Sequence, residues 1–172
     1  MRQQASTQLR RNAANLQIRI ATPSDAAAIS AVLFESFVEF RELYTPEGFA
    51  ATTPTADQIQ KRMDEGLVLV AETGDKVEGT VSSVPKGDSL YIQSMAILPS
   101  VRGRGIGRLL LSKIESFAEA GDYRRLFLST TPFLKSAINL YERFGFQRTA
   151  EGPHDLHGTP LITMEKLRQR AD

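Results

Sequence analysis

Apolar and polar side chains alternate over Leu16-Gln17-Ile18-Arg19-Ile20, the period of a half-buried strand. Ala21-Thr22-Pro23-Ser24-Asp25 then supplies helix-start chemistry, and Ile29, Val32, Leu33, Phe37 and Phe40 recur at helical spacing beyond it. Glu35, Glu39 and Glu42 are expected on another face of that helix. Tyr44-Thr45-Pro46-Glu47-Gly48 breaks the pattern and reads as part of a loop. Thr55 with Gln58 makes a capping box for a second, shorter helix ending near Glu65.

The period then changes. Leu67 to Thr73 is a buried-strand run, Gly74-Asp75 a turn, and Lys76 to Val84 the second arm of a hairpin. Pro85-Lys86-Gly87-Asp88 turns the chain into a third strand ending at Ile97. Gly105 to about Ala120 carries Ile106, Leu109, Leu110, Ile114 and Phe117 at helical spacing, and Gly121 ends it. Arg125 to Thr130 reads as a short buried strand, Pro132 to Phe144 as a helix stopped by Gly145, and the segments from Phe146 and from Leu161 to Met164 as closing strands. The order is βααβββαβαββ. Its strand-helix-strand unit between residues 90 and 130 makes the Leu90 and Arg125 strands parallel in an otherwise largely antiparallel sheet. The expected class is therefore mixed α/β (α+β), with helices on both faces.

Composition narrows the function. The 172 residues are 41% hydrophobic and 24% charged, enough for one ordinary core without disulfides or a structural metal. Cysteine is absent, which removes thiolate metal clusters and a cysteine nucleophile and is compatible with the cytoplasm. A net charge of +1 provides no strong drive toward nucleic acid or an anionic membrane, and neither is an expected partner. The apolar runs are far too short to span a bilayer. Residues 1–15 hold Arg2, Arg10 and Arg11 with few large apolar groups, and are expected to be a disordered arm before a single domain over 16–172. An organellar targeting peptide shares that basic bias but would need more apolar residues.

Candidate chemistry is concentrated in the loop after the third meander strand, where Arg102-Gly103-Arg104-Gly105-Ile106-Gly107-Arg108 sets three glycines at alternate positions before a helix. Such glycines let backbone N–H groups converge on an anion, the helix N-terminus adds partial positive charge, and the arginines add full charges. The alternative is a Gly-rich turn with solvated arginines. A P-loop would need Lys-Ser or Lys-Thr after its last glycine, where Arg108-Leu109 stands, and a dinucleotide fingerprint would need a glycine at 108.

This loop resembles the acetyl-CoA motif of the GNAT superfamily of N-acetyltransferases, framed by Met95-Ala96-Ile97-Leu98-Pro99 and Leu109-Leu110. A second string, Ala137-Ile138-Asn139-Leu140-Tyr141-Glu142-Arg143-Phe144-Gly145-Phe146, is similar to a further motif of that family, in the right order and one helix and one strand away. The resemblance covers about Ile18 to Leu167. It implies acetyl transfer from acetyl-CoA, as co-substrate and without a metal, to an amine of a small molecule or peptide. It places Met95, Ala96 and Ile97 along the pantetheine arm, the loop from Arg102 to Arg108 on the pyrophosphate, and Tyr141 as the acid that protonates the departing thiolate. Asn139 would bond either the pantetheine or its own helix. A purely packing role is the alternative for Tyr141, because Ala137, Leu140, Tyr141 and Phe144 share a helical face.

Two departures bear on mechanism. Leu134 stands where many members carry an asparagine, and Leu90 to Ile97 contains no Glu, Asp or His to act as base, offering Tyr91, Gln93 and Ser94 instead. A solvent-linked proton route is expected, with His154-Asp155-Leu156-His157 as an alternative base or a metal site. The stripe of Glu35, Glu39 and Glu42 could recruit a cationic amine such as a polyamine. A non-catalytic acyl-CoA-binding module is the competing function, and a homodimer is possible.

Overall fold

A computed structural model describes residues 15–169, so the arm expected at 1–15 lies outside the described residues except for Asn15. Seven strands form the main sheet: β1 (Leu16–Ile20), β2 (Leu67–Thr73), β3 (Lys76–Lys86), β4 (Ser89–Ile97), β5 (Arg125–Thr130), β6 (Gln147–Thr149) and β9 (Ile162–Leu167). Their order is β1-β2-β3-β4-β5-β9-β6. β7 (Asp155–Leu156) and β8 (Thr159–Pro160) form a separate small hairpin. Only β4 and β5 run parallel, with Ser89 to Ile92 beside Arg125 to Leu128; the other registered pairs are antiparallel. The expected mixed, mostly antiparallel sheet with its parallel unit is the observed one.

The α-helices are α1 (Ala26–Phe37), α2 (Pro46–Thr52), α3 (Ala56–Glu65), α4 (Ile106–Ala120) and α5 (Lys135–Phe144). α4 forms because Ile106, Leu110, Leu111, Ile114 and Ala118 fall on one stripe, and every one of them is buried. Burial of each large member contributes about 1.5 to 3 kcal/mol. The Thr55 capping box exists as read, with Thr55 N–H donating to Gln58 Oε1 at 2.9 Å and Gln58 N–H donating to Thr55 Oγ1 at 3.3 Å. At the start of the fold Arg19 grips Asp25 through two hydrogen bonds of 2.7 and 2.9 Å and reaches Glu72 at 2.9 Å, tying β1, the turn before α1 and β2 together.

Several boundaries differ from the sequence reading, and β3 runs on to Lys86 through residues read as a turn. The segment read as a loop contains α2, started by Pro46 at its first position and by Thr45, whose Oγ1 accepts from Gly48 N–H at 3.0 Å. The first helix stops at Phe37, and a 3-10 stretch, Val38–Leu43, follows it, so Glu35, Glu39 and Glu42 do not share one α-helical face. The helix read from Pro132 begins at Lys135. The closing strand runs on to Leu167, beyond Met164, because it pairs with β5 along the full length of both.

Candidate active site

The site begins as an irregularity between β3 and β4. Thr80 faces Ala96 and Ser82 faces Gln93, so one β3 residue opposes two on β4, Ser94 and Met95. This bulge puts Ser94 at φ +52°, a left-handed conformation unusual for a non-glycine residue. On its other edge β4 keeps its parallel partner only as far as Ile92, beside Leu128. From Gln93 to Ile97 that edge carries no strand, and a cleft of about 960 Å³ occupies the gap. Gln93, Ser94, Met95, Ala96 and Ile97 line one wall, and Leu128, Ser129, Thr130 and Thr131 line the other. An unpaired strand edge in a cleft accepts an extended, amide-bearing ligand as it would another strand.

At the C-terminal end of β4 a short 3-10 turn, Pro99–Val101, leads into Arg102, and the glycine loop then opens α4. Gly103 and Gly105 have φ of +80° and +81°, the alternation in which backbone N–H groups form a concave anion site, and the unpaired N–H groups of the first helical turn lie directly after it. Gly107 has a different reason to be glycine. A Cβ there would stand 2.7 Å from Leu140 Cδ2 and 3.1 Å from Met95 Cε, so its bareness lets α4, α5 and β4 approach one another.

The candidate residues are not equally placed. Met95, Ala96, Ile97, Arg102, Gly103, Gly105, Ile106, Gly107, Arg108 and Tyr141 all line the cleft. Arg104 and Asn139 are exposed and are not among its lining residues. Arg102 is engaged elsewhere: its guanidinium donates to Glu39 Oε1 at 2.5 Å and to the Ser36 carbonyl at 3.0 Å, which fastens the loop to the end of α1. Ser36 Oγ also donates to the Ile97 carbonyl at 3.0 Å, taking up one of its two lone pairs.

Tyr141 is 7% exposed, with its ring edge-on to Phe146 at 5.9 Å. Burial, with the Tyr44 phenol nearby, pushes its pKa well above the ordinary value. It therefore holds its proton throughout the physiological range, which suits a donor and rules out a base at neutral pH. Tyr44 is itself buried and meets Phe133 edge-on at 4.9 Å; Phe40, Phe133, Leu156 and Leu161 extend the apolar wall there.

Among the described residues that line the cleft there is no Asp, Glu or His. His154 and His157 are exposed on the small hairpin outside the lining, and Asp155 is occupied in accepting from Gly158 N–H at 3.0 Å. Glu35, Glu39 and Glu42 are also not among its lining residues, and Glu39 is neutralised by its pair with Arg102. The cations of the lining are Arg62, Arg102, Arg108, Lys135 and Arg143. Arg62, on α3, was not legible as a site residue, nor was the bulge at Ser94: a polar helix face gives no sign of pointing inward, and a bulge leaves no trace in a regular run of strand formers.

The sequence profile of the acetyltransferase (GNAT) family matches residues 34–146 of this chain. The chain belongs to the GNAT family. An uncharacterized N-acetyltransferase, YjgM, of Escherichia coli strain K12 is 32% identical over 137 residues, covering 76% of this chain and 81% of YjgM. Among solved structures, the PaiA N-acetyltransferase of Thermoplasma acidophilum in complex with coenzyme A has a TM-score of 0.77 at 16% identity, covering 89% of this chain and 99% of that one. The putative acetyltransferase yncA of Salmonella typhimurium, with its cofactor acetyl-CoA, has a TM-score of 0.68 at 22% identity, covering 92% and 97%. This GNAT chain is an N-acetyltransferase enzyme.

Proposed function

We propose that this enzyme moves the acetyl group to a primary amine of a small molecule or peptide, and that the transfer takes place where β4 leaves β5. The observation that carries this reading is the convergence on one cleft of three parts: the free edge of β4 past Ile92, the left-handed glycines at the mouth of α4, and the protonated, buried phenol of Tyr141. Each answers one demand of the chemistry. The backbone of Gln93 to Ile97 can pair with the amides of pantetheine, and a strand N–H at Met95 would polarise the thioester carbonyl. The loop from Gly103 to Arg108, with the Arg108 guanidinium, suits the pyrophosphate.

The acceptor must attack as a neutral amine. With no carboxylate or imidazole in the described lining, the amine proton leaves to water rather than to a side chain of the cleft. Collapse of the tetrahedral adduct breaks the carbon–sulfur bond, and the Tyr141 hydroxyl delivers a proton to the departing sulfur. Arg102 positions the loop rather than touching phosphate, since Glu39 and Ser36 hold it.

The test is free-thiol release from acetyl-CoA across a panel of amines, with each mixture weighed for N-acetylated product. Release matched by product is the expected result. Tight CoA binding with no thiol released by any amine would mean a binding module and would end this reading.

A further inference from the structure

Arg62 is half-buried on the inner side of α3 and lines the cleft, where its guanidinium donates a hydrogen bond to Ser94 Oγ at the β4 bulge. Among the described residues it forms no ion pair, and Glu65, one turn along the same helix, is exposed on a second, smaller cavity that Arg62 also borders. A guanidinium has five N–H donors, stays charged in proteins and is costly to bury unpaired. Ser94 satisfies one of them.

Its position says which ligand it serves. The glycine loop follows the C-terminal end of β4, so a pantetheine laid along the strand runs back from the loop, past Ile97 and Met95, toward Ser94. Arg62 therefore stands at the acyl end of the cleft, remote in sequence and element from the pyrophosphate loop. The same cleft is lined by Ala51 and Thr52 of α2 and by the half-buried Tyr91 and Gln93 of β4. No described acidic side chain lines the main cleft to attract a polyamine, Glu65 bordering the second cavity instead.

We propose that Arg62 anchors an oxyanion carried by the acceptor, so that the substrate is an amine bearing a carboxylate or phosphonate close to its amino group, as an amino acid does, rather than a polycation. This rests on the acetyl-transfer reading above and names its substrate class. The guanidinium fork holds such a group in place, which orients the amine toward the thioester at the bulge.

The experiment compares four amines on one carbon skeleton: an amino acid, its aminophosphonate, its carboxamide and the decarboxylated amine. Native enzyme should favour one or both anionic members over the carboxamide by about 10- to 100-fold in kcat/KM, the range for hydrogen bonds to a charged group. Preference for the acid over the phosphonate, or the reverse, identifies the oxyanion. Arg62→Met should erase the preference mainly through KM while leaving the affinity for CoA unchanged, and Arg62→Lys should restore part of it. Binding of the N-acetylated acid and of its carboxamide to the CoA-loaded protein, read by calorimetry, gives the same contrast without turnover. Thus a failure of acetyl transfer does not conceal the answer. Equal binding of acid and carboxamide to native protein would overturn the proposal, as would an Arg62→Met variant that weakens all four amines alike while lowering the melting temperature.

Discussion

The glycines of the loop proposed to bind pyrophosphate show why a motif's letters and the reasons for them are different information. All three read alike in sequence, as freedom for close backbone approach. In the fold, a Cβ at Gly103 or Gly105 meets nothing within 4 Å, and what the position demands is the left-handed backbone; Gly107 alone is held bare by packing. Gly105→Ala should accordingly cost about 1 kcal/mol of stability and weaken CoA by distorting the loop, read as a lower melting temperature together with a raised Kd. Asp25 makes a second residue-scale prediction. Arg19 holds its carboxyl down to about 2, against an unfolded value near 4, with the Thr22 N–H adding a further hydrogen bond at 2.7 Å. The stability it contributes is complete above pH ~4 and is lost as pH falls toward 2, because the unfolded chain takes up the proton first. Asp25→Asn should lower stability at neutral pH by about 1 to 2 kcal/mol and flatten the acid limb of a denaturation series between pH ~4 and ~2.

At the scale of elements, the strands and long helices were legible because each carries a period that burial enforces. The inward positions Leu126, Leu128 and Thr130 of β5 and the stripe of α4 are examples, although Leu109 and Phe117, read into that stripe, are exposed, as is Ile20 at the end of β1. What escaped was short or irregular. α2 has seven residues and too little periodicity to announce itself, although Thr45-Pro46 was a readable start signal. The hairpin of β7 and β8 has two residues per arm and is tied to the start of α2 by Thr45, which donates to the His157 carbonyl at 2.8 Å. The bulge at Ser94 is the element that makes the site, and no residue type marks it. A direct consequence can be measured by amide hydrogen exchange. Leu90 to Ile92 are paired on both edges and should be slow at all times, whereas amides between Gln93 and Ile97 that face the missing partner should slow only when acetyl-CoA is added. Protection confined to another strand would place the pantetheine elsewhere.

The whole molecule is nearly neutral, with 21 basic and 20 acidic groups, yet the cleft collects arginine and lysine and no acid among its described lining. That separation was invisible to composition, since net charge also counts groups such as Glu35, Glu39 and Glu42, which are not among the lining residues of the cleft. No helix among the described residues is long and apolar enough to cross a membrane. The fold thus offers one basic, partly apolar cleft with a phenol inside it, and the central claim is that acetyl transfer happens there. The measurement that tests this most directly is the single-turnover rate of Tyr141→Phe with an acceptor found in the amine screen, taken beside CoA affinity and melting temperature. The substitution keeps the buried ring and deletes only the hydroxyl. Thiol release should slow by about 100-fold or more with affinity and melting temperature nearly unchanged. A single-turnover rate equal to that of the native enzyme would contradict the account, leaving Tyr141 a packing residue and the proton for the departing sulfur to come from another source.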